Sequence, residues 1–245
     1  MTGRQTRRGF LATAGAVMLA GCNGSQFDNE SEQRVSSYRL HEVVEEGETE
    51  PVVAETLPVE IQREYLDHAM NRTNDLLSSL PLPLTAEEIP NGHVRQHLAT
   101  AANDATDKLD EARTAPNRWS ALESLRHARS NARYAAAGWA YAEGNVDAES
   151  LRTERDAIDE DARSLRSKHD HRGTDPVNAA LVHAPIEESL DRVLEHRDQP
   201  RDHGGPGSLL TVARRAEHAE TARARATNAR HLHEQFTASL PDDAG

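Results

Sequence analysis

Between residues 58 and 240 the apolar side chains return every three or four positions, with no sustained alternation of apolar and polar residues. That period lines one face of an α-helix and cannot line one face of a strand. Ile61, Tyr65, Ala69, Leu76 and Leu80 form the first stripe; Pro58 suits its first turn, and Pro81 and Pro83 stop it. Thr85-Ala86-Glu87-Glu88 reads as a capping box that Pro90 and Gly92 confine to a single turn. Asn91 caps a second helix carrying Val94, Leu98, Ala102, Ala105, Leu109 and Ala112.

Pro116 opens a third, with Trp119, Leu122, Leu125, Ala128, Ala132, Ala135, Trp139 and Ala142 on one side and Gly144-Asn145 at its end. The fourth runs from about Asp147 to His171, with Leu151, Ile158, Ala162 and Leu165 inward and Gly173 as its stop. Asp175-Pro176 starts a fifth, with Val177, Leu181, Leu190 and Leu194 inward and a kink or break expected before Pro185. After the Pro/Gly loop 199–207, a last helix extends from Ser208 to about Leu240, roughly 50 Å at 1.5 Å per residue.

The links between the second, third and fourth helices are short, which makes sequential helices antiparallel neighbours. The expected fold is therefore all-α: an up-and-down antiparallel bundle of five to six long helices. Aromatics are 4% of the chain, so the alanine-rich stripes allow close approach but bury modest area each.

Ahead of the bundle stands a different kind of signal. Thr6-Arg7-Arg8-Gly9-Phe10-Leu11 places two arginines before an apolar run ending at Leu19-Ala20-Gly21-Cys22, and Cys22 is the only cysteine. Phe10–Ala20 is too short to span a bilayer, which takes about 20 residues. The pattern resembles a twin-arginine export signal joined to a lipobox. That resemblance implies translocation read through Arg7 and Arg8, lipidation of Cys22, and a chain held by lipid on the outer face of the cytoplasmic membrane. One acyl chain binds a membrane only marginally, so a double-chain lipid is the anchor implied.

Net charge is −13, and −16 once the three arginines of the leader are removed. Such a balance excludes nucleic acid as a partner, which demands clustered positive charge. Lys108 and Lys168 are the only lysines among 28 basic residues. Together with the acid content, this resembles proteins of extremely halophilic archaea, where salt screens a dense carboxylate surface to within about 3 Å.

The division expected is a signal segment over 1–21, a tether over 22–36, a pre-bundle segment over 37–57, the bundle over 58–240 and a disordered tail over 241–245. The tether is polar and acidic, with a reach of roughly 20 Å. The pre-bundle segment is compatible with a small β-hairpin or a short helix.

Chemistry is harder to find. His93 and His97 share a helix face four residues apart, but the intervening residues lack the glutamate of HExxH, so the pair is only a weak candidate metal site. No glutamate precedes a histidine by three, which removes the Glu-x-x-His pairs of di-iron bundles. His169 with His171, and His231 with His233, read as surface histidines, and Asp159-Glu160-Asp161 as a solvated acidic face. Trp119 and Trp139 read as core.

There is no nucleophile elbow, P-loop or dinucleotide fingerprint. Gly204-Gly205-Pro206-Gly207 reads as an inter-helix loop. Asn23, Asn29 and Asn71 begin weak glycosylation sequons. No catalytic residue and no cofactor are assigned. The expectation is an envelope binding or accessory protein with a protein partner; the alternative is a metal-dependent or hydrolytic protein with its site near His93 and His97.

Overall fold

The computed structural model describes residues 57–195 and 208–241. Arg7, Arg8, Cys22, Asn23 and Asn29, the tether, most of the pre-bundle segment, the glycine-rich loop 204–207 and nearly all of the tail lie outside them.

Six helices form the described structure: α1 (Arg63–Ser78), α2 (Gly92–Arg113), α3 (Arg118–Ala142), α4 (Ala148–Lys168), α5 (Pro176–Glu195) and α6 (Leu209–Ser239). No strand occurs among the described residues, and none of their helices is long and apolar enough to cross a membrane. The chain is an all-α helical bundle.

Most helix starts are fixed locally. Asn91 accepts from the amides of His93 and Val94, Asn117 from Ser120, Asp147 from Ser150, Asp175 from Asn178 and Ser208 from Thr211. Each bond satisfies an amide that the first helical turn leaves without a partner. Gly144, at φ +76°, turns the chain after α3 in a conformation that costs an ordinary residue energy.

Two starts move. Pro58 is not in α1, which begins at Arg63 after an extended Gln62. Pro116 lies ahead of Asn117, so the asparagine rather than the proline sets the first turn of α3. The Thr85 box is half formed: the Glu88 carboxylate accepts from both the amide and the hydroxyl of Thr85, but only a turn follows.

Packing also departs from a simple sequential order. α3 packs on α1, α2 and α6, whereas α4 packs principally on α6 and α5 despite its short link to α3. The last helix thus inserts beside α3 and forms the spine shared by both halves. Its sequence permits this. Ala213, Ala216, Ala219, Ala222, Ala224, Ala226 and Ala229 are all buried, so small side chains face its neighbours on several sides.

The inward face of α5 is Val182, His183, Ile186, Leu190 and Val193, while Val177 and Leu181 are exposed. Leu190 is buried and Leu194 packs against the core as expected, whereas the first turns depart because the stripe there includes a histidine in place of an apolar residue. α5 also continues unbroken through Pro185. The carbonyl one turn earlier, on Leu181, belongs to an exposed residue, where water can replace the missing donor. Asp159 is a further correction: it is 2% exposed and bonded to Arg155, not part of a solvated face. Trp119 and Trp139 are partly buried against the core, as expected.

Candidate functional site: a histidine cluster at one end of the bundle

α4 ends at Lys168, and His169 leaves it in extended conformation, so Gly173 is not the stop of that helix. Gly173 instead permits contact. A Cβ there would lie 2.6 Å from the Cβ of Ala179, well inside a normal carbon–carbon separation. Its bare backbone lets the linker cross closely over the first turns of α5. That crossing sets His169 and His171 above His183 and Glu187, which are four residues apart on one face of α5. His233, from the last turns of α6, reaches the same place.

The contacts run ring to ring. His169 Nδ1 is 3.3 Å from His233 Nδ1, and His169 Nε2 is 3.2 Å from His183 Nδ1. His183 Nε2 lies 2.9 Å from the carbonyl oxygen of Arg172, which can only accept. His183 must therefore donate from Nε2. With all three rings neutral, His169 donates to His183 and His233 donates to His169. Phe236 packs edge-on against His183, 5.3 Å between ring centres, and closes the inner side.

On the outer side His171 Nε2 meets Glu187 Oε1 at 2.8 Å, and both residues are exposed. Burial, and then His183, His233 and His171 around it, lower the pKa of His169 to about 4. Burial, followed by His183, also lowers that of His233. At neutral pH both rings are uncharged, the protonation state from which an imidazole can ligate a metal.

Among the described residues, His169, His171 and Glu187 can each offer a ligand atom within 4.8 Å of the other two. His183 and His233 engage both ring nitrogens of His169, so a metal there takes the place of one contact while the other keeps the outer-shell role that orients a metal-binding imidazole. The site opens to solvent on the side of His171 and Glu187.

The pair singled out by spacing fares differently. His93 and His97 are exposed and stack edge-to-face at 4.4 Å, with no third ligand-type side chain gathered beside them among the described residues. Asn71 is exposed within α1, and the hydroxyl of Thr73 is buried against the carbonyl of Ala69. His231 is not a surface residue: it is 6% exposed, stacks on Tyr65 at 4.0 Å and accepts from the amide of Gln62. His183 and Glu187 escaped sequence analysis. Their spacing equals that of His93 and His97, so the local signal was present on α5; what was missing was the linker laid over it.

No curated protein and no solved structure matches the chain. A family model described as Domain of unknown function (DUF8262) matches residues 64–243, from the start of α1 to beyond the end of α6. The match covers well over half of the sequence, and the chain belongs to that family.

Proposed function

We propose that this protein is a lipid-anchored, metal-binding module on the outer face of the cytoplasmic membrane. Its divalent transition ion is bound by His169, His171 and Glu187. The observation that carries the reading is the convergence of those three ligand atoms within 4.8 Å of one another, from a linker and a helix. An ion bonded at about 2 Å to each closes the triangle when His169 exchanges one of its two ring contacts for the metal and the exposed His171 and Glu187 rotate towards it. Nitrogen donors select zinc, copper, nickel or iron over calcium and magnesium, which prefer oxygen alone. Two imidazoles and one carboxylate leave a position for water or for a ligand on a partner, which suits capture and handover.

The anchoring half of the proposal is supported by the motif Arg7-Arg8 and the lipobox ending in Cys22.

Calorimetric titration of the full chain with zinc tests the binding. We expect one equivalent bound, lost in the His169→Ala/His171→Ala variant with helicity unchanged by circular dichroism. Equal binding by wild type and variant would refute it. Cys22→Ser tests the anchor separately, by moving the chain from the membrane fraction to the medium.

A further inference from the structure

A second polar concavity lies where α3, α4, α5 and α6 meet, and it has the opposite character. About 290 Å³ in volume, it is lined by Arg126, Arg155, Arg192 and Arg225, with Glu217 as its single carboxylate. In a protein of net charge −13, with 41 acidic side chains, four guanidiniums around one cavity need a cause. Three of them are tied down from their own helices. Glu123 holds Arg126 at 2.7 Å, Asp159 holds Arg155 at 2.8 Å and Glu188 holds Arg192 at 2.7 Å. Glu217 is itself taken by Arg214 at 2.9 Å.

Arg225 has no such partner. It is partly buried on α6, and among the described residues it makes no hydrogen bond and no ion pair. Burial, and then Arg126 alongside, push its pKa down, with Arg192 adding to the repulsion, and the opposing pull of Glu123 and Glu188 does not restore it. Half-open to the cavity, such a guanidinium is free to take an anion from solution. Asn131 also lines the cavity, and its side-chain amide likewise makes no hydrogen bond among the described residues. Unused donors therefore converge from α3 and α6 on one space, while the neighbouring arginines are oriented by carboxylates outside the lining.

We propose that this cavity is a binding site for a small phosphate-class anion, recognised chiefly by Arg225, with Asn131 and the rim arginines as supporting donors. The flat guanidinium fork matches two oxygens of such a group at once. The volume falls at the lower end of ligand pockets, so it admits inorganic phosphate or a small monoester and not a nucleic acid chain. Its lining shares no residue with the histidine cluster, so this site stands whether or not that cluster binds metal.

The test is calorimetric titration of the full chain with inorganic phosphate and, separately, ribose 5-phosphate, at constant ionic strength and with a chelator present. We expect saturable one-to-one binding, weakened at least tenfold in Arg225→Gln and several-fold in Asn131→Ala. Tighter binding of the ester would identify a small organic phosphate as the ligand; equal binding would identify the free ion.

Arg225→Gln should also melt at the same temperature as wild type or higher, because it removes an uncompensated charge. A merely structural arginine would lower the midpoint. Absence of saturable binding by either probe, or unchanged binding in both variants, overturns the proposal.

Discussion

Glu220 and His183 are both polar and both sealed in the bundle, 0% and 4% exposed, but their surroundings differ in kind. Around Glu220 every charge is answered. Arg129 bonds one carboxylate oxygen at 2.7 Å, while Arg72 and Arg223 bond the other at 3.3 and 2.9 Å. Arg223 continues to Glu154, which also meets Arg133. Burial alone would raise the pKa of Glu220; Arg129 and Arg72 outweigh it and hold it below the usual glutamate range. This network ties α1, α3, α4 and α6 together at the middle of the bundle.

Around His183 no cation faces an anion at the core of the cluster. Like groups are pressed together and share protons. A network of paired opposite charges specifies a fold, whereas a cluster that would repel if charged marks a place where something else is accommodated. The two regions should therefore respond to different perturbations.

The largest expected effect is on the side of the paired charges. Glu220→Gln leaves Arg129 buried without its counter-charge, and breaking a buried pair in this way costs about 3–5 kcal/mol. Urea unfolding should show that loss; a change within experimental error would mean that water, not Glu220, compensates the arginines.

Gly173→Ala acts on the other region. Its new methyl group would meet Ala179, and overpacking of this kind costs about 1–3 kcal/mol. Because the linker carries His169 and His171, the substitution should weaken zinc binding as well as stability. A fall in stability with zinc affinity unaltered would separate the linker from the site.

The smallest effect is on pH dependence. The folded-state pKa of His169 is lowered from 6.5 to about 4, so between those values the unfolded chain binds the extra proton and the folded chain does not. The contribution of His169 is present above pH 6.5 and is lost as pH falls towards 4. His233 and His231, also lowered, act with the same sign. The thermal midpoint should fall with acidification over this window, less steeply in His169→Ala; parallel curves would contradict the assignment.

What could be read from the sequence was what is local. Asn91 and Asp175 announce themselves as caps because their partners lie within three residues. Leu98, Leu122 and Ile158 fall inward because periodicity alone selects a face. The insertion of α6 beside α3 was not legible, since short links argue for sequential neighbours and alanine stripes fit several partners equally well. The histidine cluster was hidden for a related reason. His93 and His97 satisfy the ligand spacing of a helix without a third group among the described residues, whereas His169, His171 and Glu187 meet only after the linker crosses α5. The buried Asp159 was misread because its neighbours Glu160 and Asp161 are exposed, and a run of acids does not reveal which member faces Arg155.

The most direct test is zinc titration of the full chain followed by long-range proton–nitrogen NMR of the imidazole rings, which resolves each histidine. The account predicts that the ring nitrogens of His169 and His171 shift first and saturate at one equivalent, while His93 and His97 stay in place. Uniform, unsaturated shifts over all histidines, or a first response at His93 and His97, would contradict it.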